Sequence, residues 1–428
     1  MTQRASPLGL STLVALVIAN MIGAGVFTTS GFALADLGSP LRVLAAWAVG
    51  ALVALCGAVS YGALARALPA SGGEYHYLSR NVHPLAGFIA GWVSLLAGFT
   101  GAIAFAALTF AAYLGADGAE ASWFATFIIA IATGLHAFRV RTGARAQNAA
   151  VAVKLALIAG FCAIALLGGP DAWVGLAEAS SGEARQPFSA TAFALALMWI
   201  SFSFSGFNAG VYIAGEVPGA ASLVPRALVL GTVITAAAYL LLNAAFVLVP
   251  PYDAVAGHED VAAVAARYIG GEPLALIVRA VIVLALFTSV SAMIMIGPRV
   301  YAKMADDGLM PRAFRLQGET PALAVGAQAV LAIAVVWLAG LRELLSYLGF
   351  TLGLSTAATV ASLFLLVRRR GAELGRLPGY PWAPAAFVAF TLLFAALGAL
   401  RDPREMLAAV ATILSGAVLY RFASRIRS

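Results

Sequence analysis

Long apolar blocks separated by short polar breaks run through the whole chain. Leu8 to Ala35 holds no charged residue, and neither does the stretch from Pro84 to Ala116. A helix that crosses a bilayer needs roughly 20 apolar residues, whereas a core helix or strand of a soluble protein needs far fewer. The blocks therefore predict about twelve transmembrane helices, near 8–35, 41–65, 85–114, 121–138, 146–168, 188–215, 227–249, 280–298, 320–341, 344–367, 382–400 and 406–422. A single Arg and no compact apolar region with a cleavage site precede the first block, so it reads as a retained span rather than a removed leader. Between spans seven and eight, Glu259 to Ile269 mixes small apolar and charged residues. It is expected to be a short helix lying on the outer surface, with a solvated loop as the alternative.

Composition agrees with an all-α integral membrane protein. The chain is 62% hydrophobic and 11% charged, against about 25% charged residues in a soluble domain. No polar stretch is large enough for a separate soluble domain, so one transmembrane domain is expected over 1–428. Cys56 and Cys162 both fall inside spans, which speaks for isolated buried thiols and against a disulfide framework.

Charge placement supplies the orientation. With an even number of spans both termini share a side, and with the termini inside, 18 of the 26 basic residues fall on that side and 7 on the other. Lys and Arg mark the cytoplasmic side of a membrane protein. The net charge of +7 is therefore a topology signal, and nucleic-acid binding explains it less well. The remaining basic residue, Lys154, lies inside span five.

Two spans carry clusters that disfavour a continuous helix. Span one contains Met21, Ile22, Gly23, Ala24 and Gly25 near its middle, and span six contains Phe202, Ser203, Phe204, Ser205, Gly206, Phe207 and Asn208 in the corresponding place. Each glycine costs a helix about 1 kcal/mol relative to Ala. Close helix packing is the competing explanation for small residues. Two such clusters five spans apart instead match interrupted helices in corresponding halves of a transporter. The outer half of span one would then begin near Gly25 with free N–H groups and a positive dipole end, suited to a carboxylate. The outer half of span six would end near Phe202 to Ser205 with free carbonyls, suited to an ammonium group. Backbone polar groups released in this way cannot face lipid and must line a cavity. A zwitterion fits both ends, and an α-amino acid is the simplest one.

These residues resemble the amino acid–polyamine–organocation transporter superfamily, especially its bacterial amino acid permeases. Ile22 to Phe27 looks like that family's first-span motif. Gly72 to Tyr77, with Gly87-Phe88 and Gly91-Trp92, is similar to its first loop and third-span entry. Phe202 to Phe207 with Glu216 and Pro225-Arg226 resembles its sixth span, and Gly297, Arg299 to Tyr301 and Asp307 to Leu309 resemble the end of its eighth. The resemblance implies a five-plus-five inverted repeat, about 8–168 and 188–367, followed by two extra helices at about 382–422. It implies a substrate held by Met21, Ile22, Gly23, Ala24 and Gly25 together with Phe202, Ser203 and Ser205, under a gating aromatic, Phe207. Two departures stand out: Pro218 to Ser222 lacks the family's usual Asn-Pro pair, and Ala24 stands where a hydroxyl residue is more common.

Lys154 has two readings. Its ammonium could snorkel to the interface, or it could be functional, as ionisable residues inside a span are by default. The resemblance suggests that the ammonium occupies the place a sodium ion takes in related carriers, near span one and the hydroxyls of Ser289 and Ser291. That would make transport sodium-independent, with a proton as one candidate for the coupled ion.

The remaining polar groups are less informative. Glu216 is either part of an inner gate or an interfacial acid, and Asn20, Asn208 and Asn243 read as helix–helix hydrogen bonds. His76, His83, His136 and His258 form no metal-ligand spacing. No nucleotide-binding loop or catalytic triad motif is present, so neither an enzyme nor a cofactor or metal is expected. The sequence therefore reads as a secondary transporter for an amino acid in the cytoplasmic membrane, working by symport or antiport. The alternatives are an exchanger, a polyamine or amine carrier, and a sensor that retains the transporter fold. A carboxylate near the broken spans would favour a polyamine, and none is expected there.

Overall fold

The structure is a computed structural model that describes residues 9–137, 144–168, 173–180, 184–315, 322–374 and 376–426. Every regular element among them is helical. Among the described residues, eight helices are long and apolar enough to cross a membrane, and the pair Leu10–Met21 and Ala24–Leu37 forms a ninth, broken span. Three shorter apolar helices, Val151–Leu167, Ala190–Ser203 and Leu323–Leu338, lie where spans five, six and nine are expected. Arg139 and Arg141, counted in the charge census, lie outside the described residues.

Local chemistry sets the span ends. Pro40 and Pro84 open spans two and three at the first helical turn, where a missing N–H costs nothing. Gly38, at φ 64°, closes the outer half of span one in a left-handed cap whose N–H donates to the Leu34 carbonyl. Leu167, Leu338 and Trp382 are 85%, 82% and 81% exposed, an apolar surface of the kind only lipid covers without cost. Large aromatic side chains fill the interior with their polar ends bonded: Trp47 donates to Ser30 and Trp199 to Ser346.

Spans one and six are the interrupted ones. The inner helix of span one stops at Met21, Ile22 and Gly23 are extended, and the outer helix starts at Ala24, bent by 42° from the first. The helix of span six stops at Ser203. A turn follows, and Gly206 in it sits at φ 103°, a conformation open to glycine and strained for other residues. The chain then continues as a 3₁₀ helix, Ala209–Glu216.

One expectation needs correction. The segment from Val261 to Ile269 is helical, but it is buried rather than spread on the outer surface: Val261, Ala263, Ala265 and Ala266 are each 0% exposed. A kink at Gly270 and Gly271 separates it from span eight. It packs onto the outer half of span one, where Gly257 donates its N–H to the Gly31 carbonyl at 2.8 Å. Its small residues thus serve close packing against protein.

A β-carbon at Gly31 would lie 1.8 Å from the His258 carbonyl oxygen, a backbone atom that cannot move aside cheaply. Gly31→Ala is expected to destabilise the protein by about 1–3 kcal/mol, read as a lower melting temperature of the purified protein in detergent. Gly134→Ala, where nothing lies within 4 Å, should instead be neutral or raise it.

Candidate functional site

The two interruptions lie against each other and touch at two points, each built on a glycine. A β-carbon on Gly25, in the first turn of the outer half of span one, would be 2.6 Å from Ser203 Oγ and 2.9 Å from Ser203 Cα. One on Gly206 would be 2.6 Å from the Asn20 carbonyl oxygen. Thr29 Oγ1 and Ser203 Oγ share a hydrogen bond of 3.0 Å just above the first contact. The outer helix of span one has no side-chain cap at Gly23, so the N–H groups of its first turn have no partner within the helix. The first turn itself lies against the end of the span-six helix at Ser203.

The carbonyls freed by the breaks are not all free. Tyr239 of span seven (Ala220–Leu248), fully buried, donates its hydroxyl between the carbonyl of Met21 and that of Ser203, the latter at 3.1 Å. The N–H of Ser205 donates to the Phe202 carbonyl at 2.8 Å, and that of Phe204 to Ile200 at 3.0 Å. Of the predicted site residues, Met21, Gly25 and Ser203 are brought together here, and Tyr239 is an unforeseen member of that group; Ile22, Gly23, Ala24, Phe202 and Ser205 flank them in the two interruptions. A tyrosine in an apolar helix carries no sequence signal of the carbonyls it will meet. Thr28 Oγ1 is buried there without a hydrogen-bond partner among the described residues.

The two aromatic rings of span six part company. Phe202 packs edge-on to Phe105 of span three (Pro84–Tyr113) with centroids 5.2 Å apart. Phe207, expected to close over a ligand, instead packs against Tyr61 of span two at 5.4 Å and Phe387 of span eleven at 6.1 Å. The left-handed turn at Gly206 redirects the chain between them, so the two rings meet different neighbours.

The sequence also concealed a carboxylate. Glu74, on the loop helix Gly73–Asn81, is only 6% exposed and sits at the inner edge of the span-six break. Its Oε1 accepts from Tyr61 at 2.9 Å and from Asn208 Nδ2 at 2.8 Å, and its Oε2 accepts from Tyr212 at 2.6 Å. The expectation that no carboxylate stands near either break is therefore corrected. Three neutral donors already occupy this one, so it ties the inner half of span six to span two and offers little to a cationic ligand. Asn208 bonds this loop helix rather than a neighbouring span, Asn20 bonds its own helix at Leu16, and Asn243 bonds Ser30 across spans.

The outer end is held by charge. Asp36, 9% exposed, accepts two hydrogen bonds from Arg342 at 2.8 and 2.9 Å and faces Arg401 at 3.4 Å. The Arg342 guanidinium also lies 5.1 Å from the Trp199 ring. The outer halves of spans one and six are thus clamped to the start of span ten, Leu341–Leu374.

Lys154 is partly buried in span five, Ala144–Leu167, about 15 Å along the helix from its inner end at 1.5 Å per residue. Its ammonium makes no hydrogen bond or ion pair among the described residues. Span five packs against the inner half of span one and against span eight. Ser289 Oγ donates to the Ala285 carbonyl of its own helix at 3.0 Å, and Ser291 lies one half-turn further on. Glu216 is exposed at the end of the 3₁₀ helix. Among the described residues no three His, Cys, Asp or Glu side chains group as a metal site.

Comparison with known proteins places this geometry. The model of the amino acid permease family matches residues 8–415. The chain is 24% identical over 394 residues to a serine/threonine exchanger of Bacillus subtilis, covering 89% of this chain and 88% of that protein. It is 26% identical over 439 aligned positions to the human Asc-type amino acid transporter 1, covering 96% and 81%. It is 25% identical over 374 residues to the human large neutral amino acids transporter small subunit 2, covering 84% and 69%.

Removing the Tyr239 hydroxyl leaves the Met21 and Ser203 carbonyls buried without that donor. Tyr239→Phe is expected to lower stability by about 1–3 kcal/mol, measured as a drop in melting temperature. An unchanged melting temperature would mean that the two breaks hold themselves without it.

Proposed function

The chain belongs to the amino acid permease family, and on that premise we propose that it carries a small or apolar neutral amino acid across the cytoplasmic membrane by alternating access. The observation that carries this reading is the meeting of the uncapped helix start at Gly23 with the interrupted end of span six at Ser203. N–H groups on one side and carbonyls on the other make complementary partners for the two charged ends of one zwitterion. The ligand is bound by Met21, Ile22, Gly23, Ala24, Gly25, Phe202, Ser203 and Ser205, chiefly through backbone. Phe202, beside Phe105, replaces Phe207 as the aromatic that closes over it. With both termini cytoplasmic, the inner half of span one swings away to release the ligand inward. The clamp at Asp36 is what must loosen for the outer side to open. Residues 8–168 and 188–367 form the two inverted repeats of the cycle.

Lys154 stands in for a coupling cation beside the inner half of span one, near Ser289 and Ser291. Its support is the cost of an unpaired charge inside a span, about 3 kcal/mol on insertion scales, which a residue without a role would not sustain. Exchange of one amino acid for another is the second reading, favoured by the similarity to a protein named a serine/threonine exchanger.

Purified protein in proteoliposomes tests these points together. Uptake of radiolabelled small neutral amino acids is expected without sodium. A requirement for internal amino acid would select exchange, and stimulation by an inward pH gradient would select proton symport. Failure to move any amino acid under all of these conditions would overturn the carrier reading. Lys154→Ala is expected to slow uptake about tenfold, equivalent to ~1.4 kcal/mol. Unchanged uptake at every pH would remove Lys154 from the mechanism while leaving the binding site intact.

A further inference from the structure

A cavity of about 400 Å³ opens at the inner end of the bundle, between the loop helix Gly73–Asn81 and the end of span ten. His76, Arg80, Arg369 and Arg370 line it together with Asn81 and Leu366, and among the described residues no acidic side chain does. Leu68 adds a second apolar contact. The basic wall is partly preset. Arg369 donates to the Asn81 carbonyl at 2.9 Å, and Asn81 is itself held by its Nδ2 donating to Ser362 at 3.2 Å. Arg370 leaves helical geometry, with φ −131° and ψ 19°, which turns the end of span ten beside the opening.

A topology signal needs only basic residues near the membrane surface. It needs neither a concave site, nor guanidiniums drawn from two separate elements, nor one of them fixed on a backbone carbonyl. Three guanidiniums around a hollow match the tetrahedral oxygens of a phosphate, which arginine forks bind in pairs. Burial first, and the Arg80 charge after it, push the His76 imidazole below its usual range, so the Arg80 charge is felt inside the cavity. Leu68 and Leu366 provide apolar surface of the kind an acyl chain follows. Basic pockets between spans on the cytoplasmic side are suited to anionic headgroups.

We infer that this cavity is a binding site for a phosphate-bearing anion, supplied either by the headgroup of an anionic lipid or by a soluble phosphate. The site lies apart from the crossing of spans one and six, and the inference does not depend on which amino acid is carried. It touches the transport machinery through the loop helix, because the same helix presents Glu74 to Asn208 and Tyr212 on its other side. An anion bound here holds that helix to span ten.

Native mass spectrometry of the full-length protein, with phosphatidylglycerol or phosphatidylcholine added, tests the site. Phosphatidylglycerol should be retained preferentially. Retention should weaken about tenfold when Arg80, Arg369 and Arg370 are all replaced by Gln, a loss of ~1.4 kcal/mol. Replacing all three by Lys keeps the charge without the forks and should give an intermediate result. Displacement of the lipid by millimolar inorganic phosphate identifies a soluble anion as the ligand, and persistence identifies the lipid. Equal retention of the two lipids together with no binding of inorganic phosphate, or equal retention of phosphatidylglycerol and of phosphate by wild type and the triple Gln variant, would overturn the inference. If the triple variant does not fold, Arg80→Gln alone should show a partial loss, and no loss in that variant would likewise overturn it. Amino acid uptake measured in parallel separates this outcome from failure of the carrier reading.

Discussion

A backbone that leaves helical geometry inside a bilayer must find hydrogen-bond partners within the protein, because lipid offers none. This constraint governs the centre of the molecule. Spans one and six both break, and each break exposes N–H or C=O groups that no helix satisfies. Placing the breaks face to face lets a single neighbour serve both. Tyr239 does this, with its hydroxyl directed at Met21 on one side and Ser203 on the other. What it leaves unserved, above all the uncapped start of the outer helix at Gly23, is the polar surface available to a ligand.

The approach must be close for that sharing to work, and the two glycines make it close. Gly25 admits Ser203, and Gly206 admits the Asn20 carbonyl, so the broken spans touch once on each side of the gap. Beyond these contacts each half is tied to a different partner. The outer half of span one runs up to Asp36 and its clamp on Arg342, under the buried segment that starts at Val261. The inner half of span six runs down through Asn208 and Tyr212 to Glu74. The ends that must part in turn during alternating access are thus held by separate polar clusters. One is an ion pair, and the other a carboxylate bound by neutral donors. Such clusters break as units, since removing one partner strands the rest.

Which of these features could be read from the chain follows from the physics of each signal. Span length is set by bilayer thickness, so the apolar blocks marked the helices well. The breaks were legible because Gly23, Gly25, Ser203 and Gly206 are poor helix formers in places that gain nothing from weak helices. Lys154 was legible because an isolated charge among apolar residues needs no neighbour to be noticed. Tyr239 and Glu74 were hidden for the opposite reason. Their importance lies in partners 13 to 218 positions away, which no local pattern encodes. Phe207 was assigned by resemblance alone, and its packing against Tyr61 and Phe387 follows a turn at Gly206, φ 103°, that no local pattern encodes. The Val261 segment misled, since small apolar residues suit a buried contact as well as an interface.

The placement of charge supports the proposed coupling through a comparison between the two groups inside the protein. Glu74 is well served: its two carboxylate oxygens accept three hydrogen bonds between them, and none of the donors is charged. A group held in that way stabilises one arrangement of the inner half of span six and is costly to disturb, which suits a latch. Lys154 is the reverse, an ammonium with three donors and no partner among the described residues, on a span packed against the inner half of span one. A cation in that position gains most when carbonyls released by the break come within reach, and loses most when they move away. In the proposed role its free energy would depend on where the inner half of span one stands. A coupling group needs that dependence, and a structural lysine does not show it.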